Sequence, residues 1–133
     1  MVCVLDVQTR PYYGQVALFD PTVEGSYPDW DSGELEAVGG ESGLAVATRA
    51  DHLGFASIEV WLGRDSEDRG FRAVLESTIA VAGNGVLVGS VTGNDLHLVA
   101  IPPGRHRVQV LVSGPRDGVD RVSFEFTDLG MSA

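Results

Sequence analysis

The sequence predicts an all-β fold: an antiparallel β-sandwich of about nine strands with one short helix. Apolar and polar residues alternate strictly in Val122-Ser123-Phe124-Glu125-Phe126-Thr127 and in Ile58-Glu59-Val60-Trp61-Leu62. Successive side chains of a strand point to opposite faces, so this period of two suits half-buried strands. β-branched and aromatic residues fill the runs, and Gly, Pro, Asn and Asp punctuate them at short spacing. That rhythm favours a sandwich or barrel over βαβ units.

The elements follow in order. Strands are expected over 2–8, 12–19, 43–49, 56–62, 71–82, 85–91, 95–101, 106–112 and 120–127. The first is an apolar run that contains Cys3. In the fourth, Ile58, Val60 and Leu62 take the core face, which turns Trp61 outward beside Glu59. Between the second and third strands lies the one plausible helix, near 31–38. Asp31 serves as its N-cap and Glu34 completes a capping box, while Trp30 and Leu35 form a hydrophobic staple. Gly39-Gly40 ends it after two turns at most. Four turns separate the later strands. Gly83-Asn84-Gly85 is a strong hairpin signal, because Asn and Gly both accept positive φ. Gly93-Asn94-Asp95, Pro102-Pro103-Gly104 and the stretch Gly114-Pro115-Arg116-Asp117-Gly118 supply the others. From residue 71 onward the chain therefore reads as an antiparallel meander.

A chain of 133 residues fits a single domain, 1–133, with a real core. Nineteen acids face nine bases, for a net charge of −10, and there is no lysine. This opposes nucleic-acid binding, which rests on cationic contacts to phosphate, and a polybasic membrane surface. No apolar run is long enough to insert into a membrane, and the N-terminus lacks the pattern of a signal peptide. The expectation is a soluble, cytoplasmic, acidic protein.

The charge is not evenly spread. From 11 to 48 there is no arginine, and that window holds Asp20, Glu24, Asp29, Asp31, Glu34, Glu36 and Glu41, seven acids in all. It also holds Tyr12, Tyr13, Phe19, Tyr27 and Trp30, five of the ten aromatics. Clustered carboxylates steer a basic partner, and aromatics beside them supply anchors. Glu24, Tyr27, Asp29, Trp30, Asp31, Glu34 and Glu36 are the candidate partner-binding residues. The competing reading is a solvated acidic loop, with Trp30 and Phe19 plugging the core.

No constellation points to chemistry, so no catalytic residue, metal ligand or cofactor is expected. His52, His97 and His106 share no short motif. Asp29-Trp30-Asp31-Ser32-Gly33-Glu34 begins like a calcium loop, but Gly33 takes the third ligand position and residue 40 is glycine where a glutamate is needed. Gly83-Asn84-Gly85 with Gly89 opens a strand instead of the helix a dinucleotide site requires. Gly40-Glu41-Ser42-Gly43 misses the nucleophile-elbow spacing. Cys3 reads as an inert core thiol. An alternative function is a small-ligand or calcium-binding module, in which carboxylates from 20–41 converge with Asp51, Asp65 or Asp117. An enzyme would need a cleft joining a histidine to a carboxylate, and ranks last.

Several segments together resemble the competence protein J family. Tyr13-Gly14-Gln15-Val16-Ala17-Leu18-Phe19 and Asp29-Trp30-Asp31 resemble its N-terminal half. Asn84-Gly85-Val86 with Val88 and Ser90, then Leu96 to Ile101 and Pro102-Pro103-Gly104, resemble its C-terminal half. The likeness spans roughly 12–112. It departs at Arg105-His106, where an aromatic is expected after the turn glycine. The resemblance implies a non-enzymatic inhibitor of a DNA-entry nuclease that acts by protein–protein contact. Its carboxylates would then stand in for phosphates in a basic groove, and Trp30 or Tyr27 would add apolar contact.

Overall fold

A computed structural model describes residues 2–11, 14–24, 36–49, 54–63, 70–90, 96–115 and 118–129. These residues form ten strands: β1 (Val2–Thr9), β2 (Gln15–Phe19), β3 (Ala37–Gly39), β4 (Gly43–Ala47), β5 (Ala56–Leu62), β6 (Arg72–Val81), β7 (Gly85–Gly89), β8 (Leu96–Ala100), β9 (Gly104–Ser113) and β10 (Arg121–Phe126). Two five-stranded sheets result, with orders β1-β5-β10-β9-β6 and β3-β4-β2-β7-β8. The all-β fold and the nine expected strands are present.

The period of two places the core. Ile58, Val60, Ile79, Val108, Val110, Phe124 and Phe126 of the first sheet are fully buried against Val16, Leu18, Leu44, Val46, Val86 and Val88 of the second. Residues one step out of phase turn away, so Glu59 and Trp61 share the outer face of β5, as expected. Trp61 is half-buried there, and its Nε1–H donates to Glu59 Oε1 at 2.8 Å.

Several expectations are corrected. Ala37–Gly39 is a strand that pairs antiparallel with β4, where the end of a helix was expected. Edge pairing satisfies the backbone of these three residues, and the proposed capping residues 31–35 lie outside the described residues. The chain after residue 71 is not a meander. β6 and β9 pair in one sheet, while β7 and β8 between them pair in the other. After β6, the β7–β8 and β9–β10 connections join antiparallel neighbours of one sheet. The Gly83-Asn84-Gly85 and Pro102-Pro103-Gly104 turns carry the chain across the sandwich instead. Nor are all pairings antiparallel, since β10 runs parallel to β5. Cys3 is exposed instead of buried, because β1 is an edge strand whose first three residues are open to solvent.

The crossing at Gly83 has a local cause. The amides of Ala82 and Gly83, just after β6, donate to Asp20 Oδ2 at 2.6 and 3.2 Å. Asp20 follows β2 in the opposite sheet, so its carboxylate pulls the end of β6 across. Gly85 has no room for a side chain, since a Cβ would stand 2.6 Å from the Val99 carbonyl oxygen.

The sheets are tied at the other end by Arg72 of β6. Its guanidinium donates to Glu36 Oε2 at 2.7 Å and to the Gly114 carbonyl at 3.3 Å. The pair is partly solvated, so Arg72→Ala is expected to lower stability by about 0.5–1 kcal/mol, with high salt removing part of the difference. Urea midpoints at low and high salt would check this. A salt-independent loss would mean that the arginine stem, not its charge, matters.

Candidate functional site

Asp20 builds one end of the sandwich. It is fully buried, and a bare carboxylate there would be costly. Four donors satisfy it: Ala82 and Gly83 on Oδ2, and the Thr22 amide and hydroxyl on Oδ1 at 2.9 and 2.7 Å. Burial opposes ionisation, but the bonds from Thr22, Ala82 and Gly83 outweigh it and hold the carboxyl below its ordinary value of 3.8. Asp20 is thus a structural member of the acidic window.

Beside this corner lies a crevice of about 480 Å³. The end of β6 (Ala80 and Val81) and Ala82 just after it border it, as do Ser42 of the β3–β4 turn and Val23. The Ala80 amide donates to the Glu41 carbonyl at 2.7 Å, which fixes the turn against β6. Three charged side chains ring the opening: Glu24, Glu41 and Arg105, all exposed. Among the described residues, none of these three makes an ion pair or a side-chain hydrogen bond. Other cations of the described residues are engaged. Arg72 pairs with Glu36, Arg107 with Glu76 at 3.6 Å, and Arg121 with Glu59 at 3.5 Å.

The sequence-derived candidates are dispersed. Glu24 lines the crevice. Glu36 stands at the opposite end of the second sheet, just before β3, and is held by Arg72. Tyr27, Asp29, Trp30, Asp31 and Glu34 lie outside the described residues, as do His52 and the calcium candidates Asp51, Asp65 and Asp117. Among the described residues no group of three or more His, Cys, Asp or Glu could hold a metal ion. His106 is a buried strand histidine whose Nε2 lies 2.7 Å from the Pro102 carbonyl. Its Nδ1 is 3.9 Å from Asp128, and its ring meets Phe126 edge-on. No helix of the described residues is long and apolar enough to cross a membrane.

Glu41 and Arg105 were not singled out from the sequence as partner-binding residues. Their approach depends on β9 lying beside β6 and on the β3–β4 turn docking against β6 from the other sheet, both pairings between segments distant in sequence. The local signals at this spot are the place of Glu24 and Glu41 in the arginine-free run and the turn that precedes Arg105.

No family model matches the chain, and no curated protein matches it by sequence. Solved structures do match. ComJ from Bacillus subtilis, described as an inhibitor of the DNA-degrading activity of NucA, superposes with a TM-score of 0.72 over 93% of this chain and 95% of its own, at 14% identity. A protein described as crocagin biosynthetic gene J superposes with a TM-score of 0.53 over 91% of this chain and 94% of its own, at 11% identity. The chain therefore has the fold of competence protein J. At these identities the likeness speaks for the fold alone.

Proposed function

We propose that this chain is a non-enzymatic, acidic binding protein that inhibits a nuclease by protein–protein contact. One observation carries the reading: nearly the whole chain shares its fold with ComJ, an inhibitor of a DNA-degrading activity. The physical chemistry agrees. A nuclease groove that receives DNA is basic, and a net charge of −10 raises the encounter rate with such a surface. In this reading Glu24, Asp29, Asp31, Glu34 and Glu36 stand in for phosphates, and Tyr27 and Trp30 add apolar anchors. Glu36 contributes through its pair with Arg72, which would have to loosen or be shared.

The test is a DNA-degradation assay with NucA and with any nuclease encoded beside this chain. Stoichiometric amounts of the protein are expected to slow at least one of them. The triple variant D29N/D31N/E34Q is expected to weaken inhibition by about tenfold or more, mostly through slower association, and to flatten its salt dependence. Its melting temperature should stay close to that of the parent. If no such nuclease is slowed at excess inhibitor, the reading fails. If the triple variant inhibits equally at every salt concentration, the acidic window is not the interface.

A further inference from the structure

Three uncommitted charges around one crevice are unusual in a molecule whose other described arginines are engaged. Glu24 and Glu41 come from the segment after β2 and from the β3–β4 turn. Arg105 comes from the start of β9. The arrangement is dipolar: two carboxylates and one guanidinium. A lone anion meets two repelling groups there, and a lone cation leaves Arg105 unmatched. An occupant that neutralises the whole rim carries a cation with a carboxylate next to it. The charges stand exposed at the mouth, and the floor is backbone and small apolar side chains. This suits a side chain reaching in from a protein surface better than a free small molecule, which is bound mainly by enclosing most of its area.

We propose that the crevice between β6, β9 and the β3–β4 turn is a docking pocket for an arginine or lysine side chain of a protein partner. Glu24 and Glu41 hold the cation, and Arg105 pairs with a neighbouring carboxylate of the same partner. The proposal rests on the binding-protein reading above; it gives Glu24 and Glu41 of the acidic window a defined task and adds Arg105, a charge of opposite sign from outside that window. Steering is then the task of the net charge, and register the task of this pocket, because like charges placed opposite each other penalise a misaligned partner.

The probe is a capped dipeptide, acetyl-Arg-Asp-amide, with acetyl-Arg-Asn-amide as control, titrated into the isotopically labelled full chain. Amide shifts are expected at Gly40 to Ser42, Ala80 to Ala82 and Gly104 to Arg105. The variant E24Q/E41Q should bind about tenfold more weakly, and R105Q should lose a roughly threefold preference for the Asp over the Asn peptide. Shifts elsewhere with none at the crevice, or undiminished binding by E24Q/E41Q, would overturn the pocket. So would tight calcium binding that moves the same amides. The two readings fail separately. Peptide binding without nuclease inhibition keeps the pocket and removes the inhibitor. Inhibition that E24Q/E41Q retains in full keeps the inhibitor and removes the pocket.

Discussion

Replacing Phe124 by alanine is expected to lower the free energy of unfolding by about 3–5 kcal/mol. Phe124 is fully buried on β10, the central strand of its sheet, with Val60 and Val110 as its lateral neighbours in register. Its ring fills the space between the sheets, and neither neighbouring strand can collapse inward without breaking pairings on both sides of β10. The cost is therefore the lost transfer energy together with the cavity left behind. A domain of this size has only about 5–15 kcal/mol in hand, so the variant should be mostly unfolded well below the parent's midpoint. Urea titration checks this: the midpoint falls while the slope stays constant. Phe124→Leu, which keeps most of the volume, should lose less than half as much. A loss under about 1 kcal/mol for the alanine variant would mean that the ring does not pack between the sheets.

Asp20→Asn is expected to cost about 2–3 kcal/mol, although it changes almost no volume. The carboxylate accepts four hydrogen bonds, two at each oxygen. An amide keeps one acceptor oxygen and turns an NH2 toward the other pair of donors, which strands either the Thr22 or the Ala82 and Gly83 groups. The effect depends on pH with a definite sign. The folded carboxyl sits below its ordinary value of 3.8, so the unfolded chain takes up the proton first as pH falls. Asp20's contribution is therefore complete above that value and is lost as pH falls through the folded one. Melting curves at falling pH should show the parent losing stability below about pH 4 more steeply than the asparagine variant. Parallel curves would show that Asp20 does not hold β2 to the end of β6 through its charge.

Different physical signals made different parts of the molecule legible. Strict alternation at 58–62 and 122–126 identifies strands and their buried faces, because the pleat alternates side chains whatever the strand pairs with. Ile58, Val60, Phe124 and Phe126 are accordingly core residues. The same signal is silent about partners. Gly83-Asn84-Gly85 satisfies the rule for a hairpin, yet β6 and β7 lie in different sheets, and the Ala82 and Gly83 amides donate to Asp20 of the second. Ala37–Gly39 is too short for any period to show, so capping patterns around Asp31 and Gly39 pointed to a helix where β4 provides a strand neighbour. Cys3 sits among apolar residues, yet only the sheet order reveals that its strand has one neighbour and an open outer side.

The candidate site divides in the same way. Glu24 is conspicuous in the sequence because it belongs to an arginine-free run. Glu41 belongs to it too, but what gives it a role is the turn on which it sits, held by the Ala80 amide. Arg105 follows the Pro102-Pro103-Gly104 turn in the sequence, and only the pairing of β9 with β6 brings it to the crevice.

Composition, charge and period are sums over neighbouring residues, and they settle the β class, the identity of the core and the acidity of the 11–48 stretch. Which strands share a sheet, where the chain crosses the sandwich, and which of the acids stand around a crevice are pairwise facts between distant segments. Those are decided by burying both apolar faces at once while every buried donor and acceptor finds a partner, a condition that only the folded chain as a whole can meet.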